Sequence, residues 1–397
     1  MSWTTAVNRD PQLEHALDAV SQQVLTDLDG KPDLVFVFIT DHHRSGFDEL
    51  PARLDRKLGP TTLFGCSASG VIGDHTEIEF QPSVTLIAAR LPNSRWDAWH
   101  IEAEALGPGT EHSQKCSAWA EKLGEEPAQF IILADPFTFP SEQLLRSLET
   151  GFPSAVIAGG LASGTRGPGD TALFLNQTTH HSGALILALG GAVEMTTAVA
   201  QGCRPIGQPM FVTACEGGQI LELDGKPPLP QLNLLYEQSN ERDQALMQQS
   251  LFLGLAMHPG ESHHTRGDYL VRNLIGADQE RGSIQVAAEV HPQQVVQFHL
   301  RDASTSEEDL ALVLTRSRDS FGDARPKGAL LFSCTGRGEG LYGSPGHDSE
   351  AFHRLMGDTT PLGGFFCNGE IGPVSGKTFL HGYTSSFALF SERESQG

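Results

Sequence analysis

Apolar positions along the chain recur at two spacings. Over residues 11–29, Leu13, Leu17, Val20, Val24 and Leu28 fall at helical intervals, and Gly30 and Pro32 end the run. The next stretch, DLVFVFIT over 33–40, is continuously apolar and β-branched, the pattern of a strand buried on both faces. FDELPARLDRKLG then predicts a short helix with Leu50, Leu54 and Leu58 on one side, and 83–91 predicts another strand. The succession returns twice. Residues 128–137 read as a strand, 141–149 as a helix, 154–164 as a strand with a glycine turn and 183–189 as a strand. Residues 327–338 read as a strand with its turn, 348–357 as a helix, 361–373 as a turn and 385–391 as the last strand.

One module therefore occurs three times: apolar strand, loop, short helix, G-x4-G turn, apolar strand. The turns are Gly65 to Gly70 (GCSASG), Gly159 to Gly164 (GGLASG) and Gly364 to Gly369 (GFFCNG). The first and third continue as G-x-I-G, to Gly73 and Gly372. Repetition of this kind implies a quasi-symmetric body whose equivalent turns converge. Between the second and third modules, residues 193–232 alternate short β-like runs with Gly/Pro turns, and ELDGKPPLP over 222–230 marks a domain boundary. LNLLYEQSNERDQALMQQSL is helical in pattern, four further strands follow it, and the helix SEEDLALVLTRSRDS leads into the third module. The expected fold class is α/β: mixed sheets with packed helices, internally repeated strand–helix–strand units in two domains. An amphipathic helix over 1–30, domains over 31–225 and 226–392, and a tail over 393–397 make up the chain.

Charge and composition narrow the partners. Across 397 residues, 49 acidic against 27 basic residues give a formal charge of −22, a field that repels nucleic acid and anionic membrane surfaces. No apolar run approaches the roughly 20 residues that span a bilayer, and the N-terminus carries no secretory pattern. Six scattered cysteines without a CxxC fit a reducing compartment, so a cytoplasmic location is expected.

The glycine turns invite four chemistries. A phosphate loop needs Lys after the second glycine, and Val71, Thr165 and Glu370 stand there instead, which excludes it. Cys66 and Cys334 each follow an apolar strand, where a nucleophilic thiol could sit, with Arg337, His347 and His381 as candidates to activate it. That leaves a cysteine-dependent hydrolase or transferase as an alternative reading. The three His-His pairs (42–43, 180–181, 263–264) make poor bidentate metal sites, because neighbours on a strand face opposite ways. No metal and no cofactor are expected, and a haem-based gas sensor is the weaker alternative. The fourth chemistry is recognition of a small ligand by backbone N–H groups at the turns. Cys66, Ser67, Ser163, Gly164 and Asn368 are the candidates there, with Cys334 beside them. Arg204, Arg272 and Arg337 offer forks for a carboxylate, and Glu370 offers a counter-group for an ammonium. Arg166, just beyond the second turn, reads as a surface or structural ion pair. An amino acid or other small carboxylate is the ligand this combination suits.

At these residues the sequence resembles FIST proteins, a two-part bacterial sensory module. The resemblance rests on LFGCSASGVIGD, VIAGGLASG, AVAQGCRPIG, ELDGKP, VRNLIGAD, LLFSCTGRG and GFFCNGEIGP, in the family's order from Asp33 to Phe390. It implies an N-terminal and a C-terminal domain that bind small ligands, amino acids foremost, upstream of signalling outputs such as kinases or cyclases. It supplies no catalytic residues. No length is left over for an output domain, so the expected partner is a separate signalling effector protein.

Overall fold

The computed structural model describes residues 1–28, 30–124, 126–258, 264, 267–322 and 324–393. The tail expected over 393–397 lies, apart from Arg393, outside the described residues, as does His263 of the third histidine pair. The chain forms two compact units. Met1–Val199, Leu310–Leu380 and Thr384–Gly397 make one, and Ala200–Asp309 with His381–Tyr383 make the other. The fold is α/β with mixed sheets and packed helices.

Three six-stranded sheets organise the first unit, and each is centred on a parallel pair. Leu34–Thr40 pairs with Thr62–Ala68, Gln129–Ala134 with Val156–Leu161, and Gly328–Cys334 with Leu362–Cys367. A helical crossover joins the members of each pair: Leu50–Leu58, Ser141–Gly151 and His347–Met356 respectively. These are the three modules read from the apolar pattern. Their strands are buried along nearly their whole length because both faces are covered. Phe36, Phe38, Phe64, Ile131, Leu133, Leu187, Phe332 and Phe365 meet in one shared core. Helices cover the other faces: Leu17, Val20 and Val24 of Leu13–Asp27 join Leu54 and Leu58 over the first sheet. Trp119, Leu144 and Leu148 do the same over the second.

The modules exchange hairpins. Gly70–Gly73 and Thr76–Glu79, which follow the first parallel pair, do not stay in its sheet; Gly70–Gly73 pairs with Leu362–Cys367 of the third. Leu173–Leu175, after the second pair, adds to Thr62–Ala68 of the first. Glu370–Val374, after the third, adds to Val156–Leu161 of the second. The exchange is cyclic, so every sheet is completed by another module's hairpin.

The first glycines of the three G-x4-G motifs occupy equivalent places, opposite Val37, Ile132 and Leu331 in the parallel registers. A Cβ at Gly65, Gly159 or Gly364 would overlap the carbonyl oxygen of that opposing residue. These glycines lie within strands rather than in a bend, and close backbone approach is what demands them. The motifs expected as turns are therefore strand ends, joined to the following strand by Ser69 alone in the first, by Asn368 and Gly369 in the third and by the longer stretch 162–172 in the second. Residues 361–373, read as a turn, form the strands Leu362–Cys367 and Glu370–Val374. The N-terminus also holds a strand that its mixed sequence hides: Ser2–Asn8 pairs antiparallel with Val84–Arg90.

The second unit is built on a closed antiparallel barrel of six strands: Cys203–Glu216, Gln219–Leu223, Ser283–Val286, Tyr269–Asp278, Leu251–Ala256 and Val295–Arg301. Leu253, Val296, Phe298 and Leu300 fill its core. Within this unit the Gly/Pro-rich stretch over 222–230 makes a tight turn, with Asp224 and Gly225 left-handed, into the helix Pro228–Gln238. The helical pattern beyond it splits in two, because Asn240 caps a new helix, Glu241–Gln249, through the Asp243 N–H.

Candidate functional site

Four residues beyond each equivalent glycine stand Ser69, Ser163 and Asn368, and hydrogen bonds tie the three strand ends together. The Ser163 hydroxyl accepts from the Ser69 N–H at 2.9 Å and donates to the carbonyl of Phe366. The Ser163 N–H donates to the Ser67 carbonyl at 3.2 Å, and the Asn368 N–H to that of Leu161 at 3.1 Å. At Gly164, φ is 76°, and a Cβ would overlap the Ala68 carbonyl. The second strand end therefore crosses the first in contact, backbone to backbone, and only glycine permits it there.

Around this junction opens a cavity of about 310 Å³ in the first unit. Ser69, Gly164, Phe366 and Asn368 from the three strand ends wall it, joined by Thr165, Arg166, Thr335, Glu79 and Phe80. The size sits at the small end of ligand sites, which run from about 300 to 1,000 Å³. Arg166 is exposed and has no ion-pair partner among the described residues. Glu79 is half-buried, which pushes its carboxyl up, while its Oε1 accepts from the Glu339 N–H at 2.8 Å. Gly338 leaves the space that this carboxylate occupies, since a Cβ there would overlap it. The cavity thus offers a cation, a carboxyl group, hydroxyls, an amide and the exposed ring of Phe80.

Of the residues singled out in the sequence, Gly164 and Asn368 line this cavity, and Ser163 ties its walls from behind. Ser67 is buried; its hydroxyl accepts from the Ala172 N–H at 3.1 Å. Cys66 is also buried, and burial pushes its thiol well up, the opposite of what a nucleophile needs. Cys334 is buried too, with its sulfur 3.4 Å from the Gly336 N–H that donates to it. Arg337 does not reach the cavity as a ligand fork. It is buried in a two-point ion pair with Asp348 at 2.8 and 3.0 Å, and donates to the Tyr342 hydroxyl at 2.6 Å. Glu370 is buried as well, its Oε2 accepting from the Thr384 N–H and hydroxyl, and burial pushes its carboxyl up to about 8. It is therefore neutral at pH 7 and no counter-group for an ammonium. Arg204 and Arg272 belong to the second unit. There Arg204 pairs with Asp243 and Asp302, and Arg272 donates to the Val271 carbonyl.

The cavity also holds Ser69, Glu79, Phe80, Thr165, Thr335 and Phe366, which the sequence did not single out, and Arg166, which the sequence reads as a surface or structural ion pair but which has no such partner among the described residues. The repeat itself held a signal for Arg166. Two residues past the second glycine the first and third modules have Ile72 and Ile371, and the second has Arg166. There the hairpin strand does not begin until Leu173, so residues 165–172 form an inserted loop that carries Thr165 and Arg166 to the cavity.

The second unit has a larger cavity, about 690 Å³, between its helix Pro228–Gln238 and the barrel. Pro230, Leu234, Leu235, Met210 and Phe298 make that groove mainly apolar. The smaller cavity is the better candidate because polar groups from all three repeats converge on it.

Models of known families match most of the chain: the FIST N domain over residues 33–226 and the FIST C domain over 232–373. An uncharacterized protein of Mycobacterium tuberculosis is 35% identical over 362 residues, 91% of this chain and 92% of its own. Another, of Mycobacterium bovis, is 33% identical over 383 residues, 96% of both chains. A crystal structure of cyanuric acid hydrolase from A. caulinodans is 11% identical, with a TM-score of 0.18 over 76% of this chain and 99% of that one. A likeness that slight carries nothing about fold or chemistry.

Proposed function

The chain belongs to the FIST family, and on that premise we propose that it senses a small carboxylate, an amino acid foremost, in the cavity where its three repeats meet. FIST domains are associated with signal transduction and small-ligand sensing. The observation that carries the reading is convergence. Strand ends more than 90 residues apart wall one cavity, and an unshared arginine stands on its rim. The guanidinium of Arg166 receives the ligand's carboxylate, a geometry its planar fork suits. The carboxyl of Glu79 and the carbonyl oxygen of the Asn368 amide accept from an ammonium.

A ligand that touches all three strand ends favours the arrangement in which they lie together, and a separate effector protein reads that population shift. Coupling of a few kcal/mol, about 1–3, is enough. The six cysteines are free thiols, which suits action in the reducing cytoplasm. No described helix is long and apolar enough to cross a membrane.

A thermal-shift panel of amino acids and organic acids tests this reading, because a ligand that prefers the folded chain raises its Tm. At least one carboxylate raises the Tm of the wild type, and Arg166→Ala abolishes the rise. Silence across the panel, or a rise that survives Arg166→Ala unchanged, overturns it.

A further inference from the structure

The cavity's walls also say what kind of carboxylate it takes. Phe80 ends the exchanged hairpin directly after Glu79, and its backbone is left-handed, with φ of 57°. A bulky residue is a genuine outlier in that region, and such strain persists only where the surroundings impose it. Nothing in the core rewards it, because the Phe80 side chain is 75% exposed. The neighbours impose it instead. The hairpin is pinned to the third sheet through Val71 and Ile72, and Glu79 is held by the Glu339 N–H. The outcome is an aromatic ring standing in solvent on the rim of the ligand cavity.

We infer that the ligand carries a flat aromatic ring, received against the exposed ring of Phe80, so that the sensor selects aromatic over aliphatic carboxylates. This rests on the ligand-pocket reading above and narrows its substrate class. Stacked or edge-on rings gain attraction beyond area burial, and the apolar face of the ligand covers a ring otherwise left in water. Arg166 fixes the other end. A molecule with a carboxylate and an aromatic ring joined by a short linker satisfies both, and L-phenylalanine is the simplest probe with an ammonium as well.

Calorimetric titration of the full chain with L-phenylalanine and with L-alanine tests the inference, on wild type and on Phe80→Gly. L-phenylalanine binds wild type about tenfold or more tighter than L-alanine. Phe80→Gly removes that preference, bringing the two affinities together, and raises the Tm of the unliganded chain by relieving the left-handed strain. Equal affinity for the two probes, both lost in Arg166→Ala, overturns the aromatic selection and leaves the carboxylate pocket standing. A lower Tm in unliganded Phe80→Gly also overturns it, because Phe80 is then a packing residue. If neither probe nor any other carboxylate binds wild type, the pocket reading falls together with the inference.

Discussion

The backbone N–H of Ser69 donates to the hydroxyl of Ser163 at 2.9 Å, across 94 residues of chain. That hydroxyl also donates to the carbonyl of Phe366, so one side chain fastens all three repeats at the wall of the cavity. Ser163→Ala leaves the Phe366 carbonyl and the Ser69 N–H without this partner. The variant should lose about 1–3 kcal/mol of stability in urea denaturation. Its affinity for a ligand of the cavity should fall as well, since the walls lose their tie. Unchanged stability would mean that water replaces the hydroxyl and the repeats are joined by their backbone bonds alone.

The three equivalent glycines make a second prediction. Gly65→Ala, Gly159→Ala and Gly364→Ala each force a methyl into a carbonyl of the neighbouring parallel strand. Each should destabilise the chain by about 3 kcal/mol or more, the upper range for overpacking. Gly151→Ala is the control. It ends the helix Ser141–Gly151 with nothing within 4 Å of the added methyl, and should be neutral or slightly stabilising. Thermal denaturation of the four variants reads the contrast.

Much of this architecture was legible because each module announces itself locally. Strands such as Leu34–Thr40 and Gly328–Cys334 are unbroken apolar runs, and the glycine at the middle of each repeat is fixed by spacing. What pairs with what was not legible. Nothing in the sequence of Gly70–Gly73 says that its partner lies near residue 363 rather than in its own sheet, because the choice depends on a register set across nearly 300 residues. The site divides in the same way. Gly164 and Asn368 were found through the repeat, and Arg166 stands out only as the place where the repeat is broken. Arg337 looked like a ligand fork because glycines flank it. Its partner Asp348 lies 11 residues away on the helix His347–Met356, and nothing at Arg337 itself signals the pairing.

That ion pair yields a third prediction. Arg337 and Asp348 are both buried, and Ser333, Ser385 and His347 also donate to Asp348. The guanidinium holds the Asp348 carboxyl well below the usual range against the opposing effect of burial. Arg337→Met strands that charge and should remove about 3–5 kcal/mol of stability. Adding Asp348→Asn should restore part of the loss, and the double-mutant cycle by urea denaturation measures the coupling. Additive losses would contradict the pairing.

Glu370 gives a pH dependence of definite sign. Burial raises its carboxyl to about 8 from an ordinary value of 4.5, so between those values the folded chain keeps a proton that the unfolded chain releases. Its contribution is complete below 4.5 and is lost as the pH rises through 8. Glu370→Gln, which can still accept from Thr384, should flatten that decline. At pH 8 it should be more stable than wild type, by on the order of a few kcal/mol, and at pH 4.5 nearly equal to it. Parallel declines for the two proteins in denaturation curves across this range would contradict the buried neutral carboxyl.

If the three repeats form a ligand site where they meet, a bound carboxylate lies at that junction. A crystal structure of the full chain with the carboxylate that most raises its Tm shows whether it does. Ligand density is expected among Ser69, Gly164 and Asn368, with the carboxylate on Arg166. Density in the apolar groove beside Leu234 instead, with the junction of the repeats empty, would contradict it.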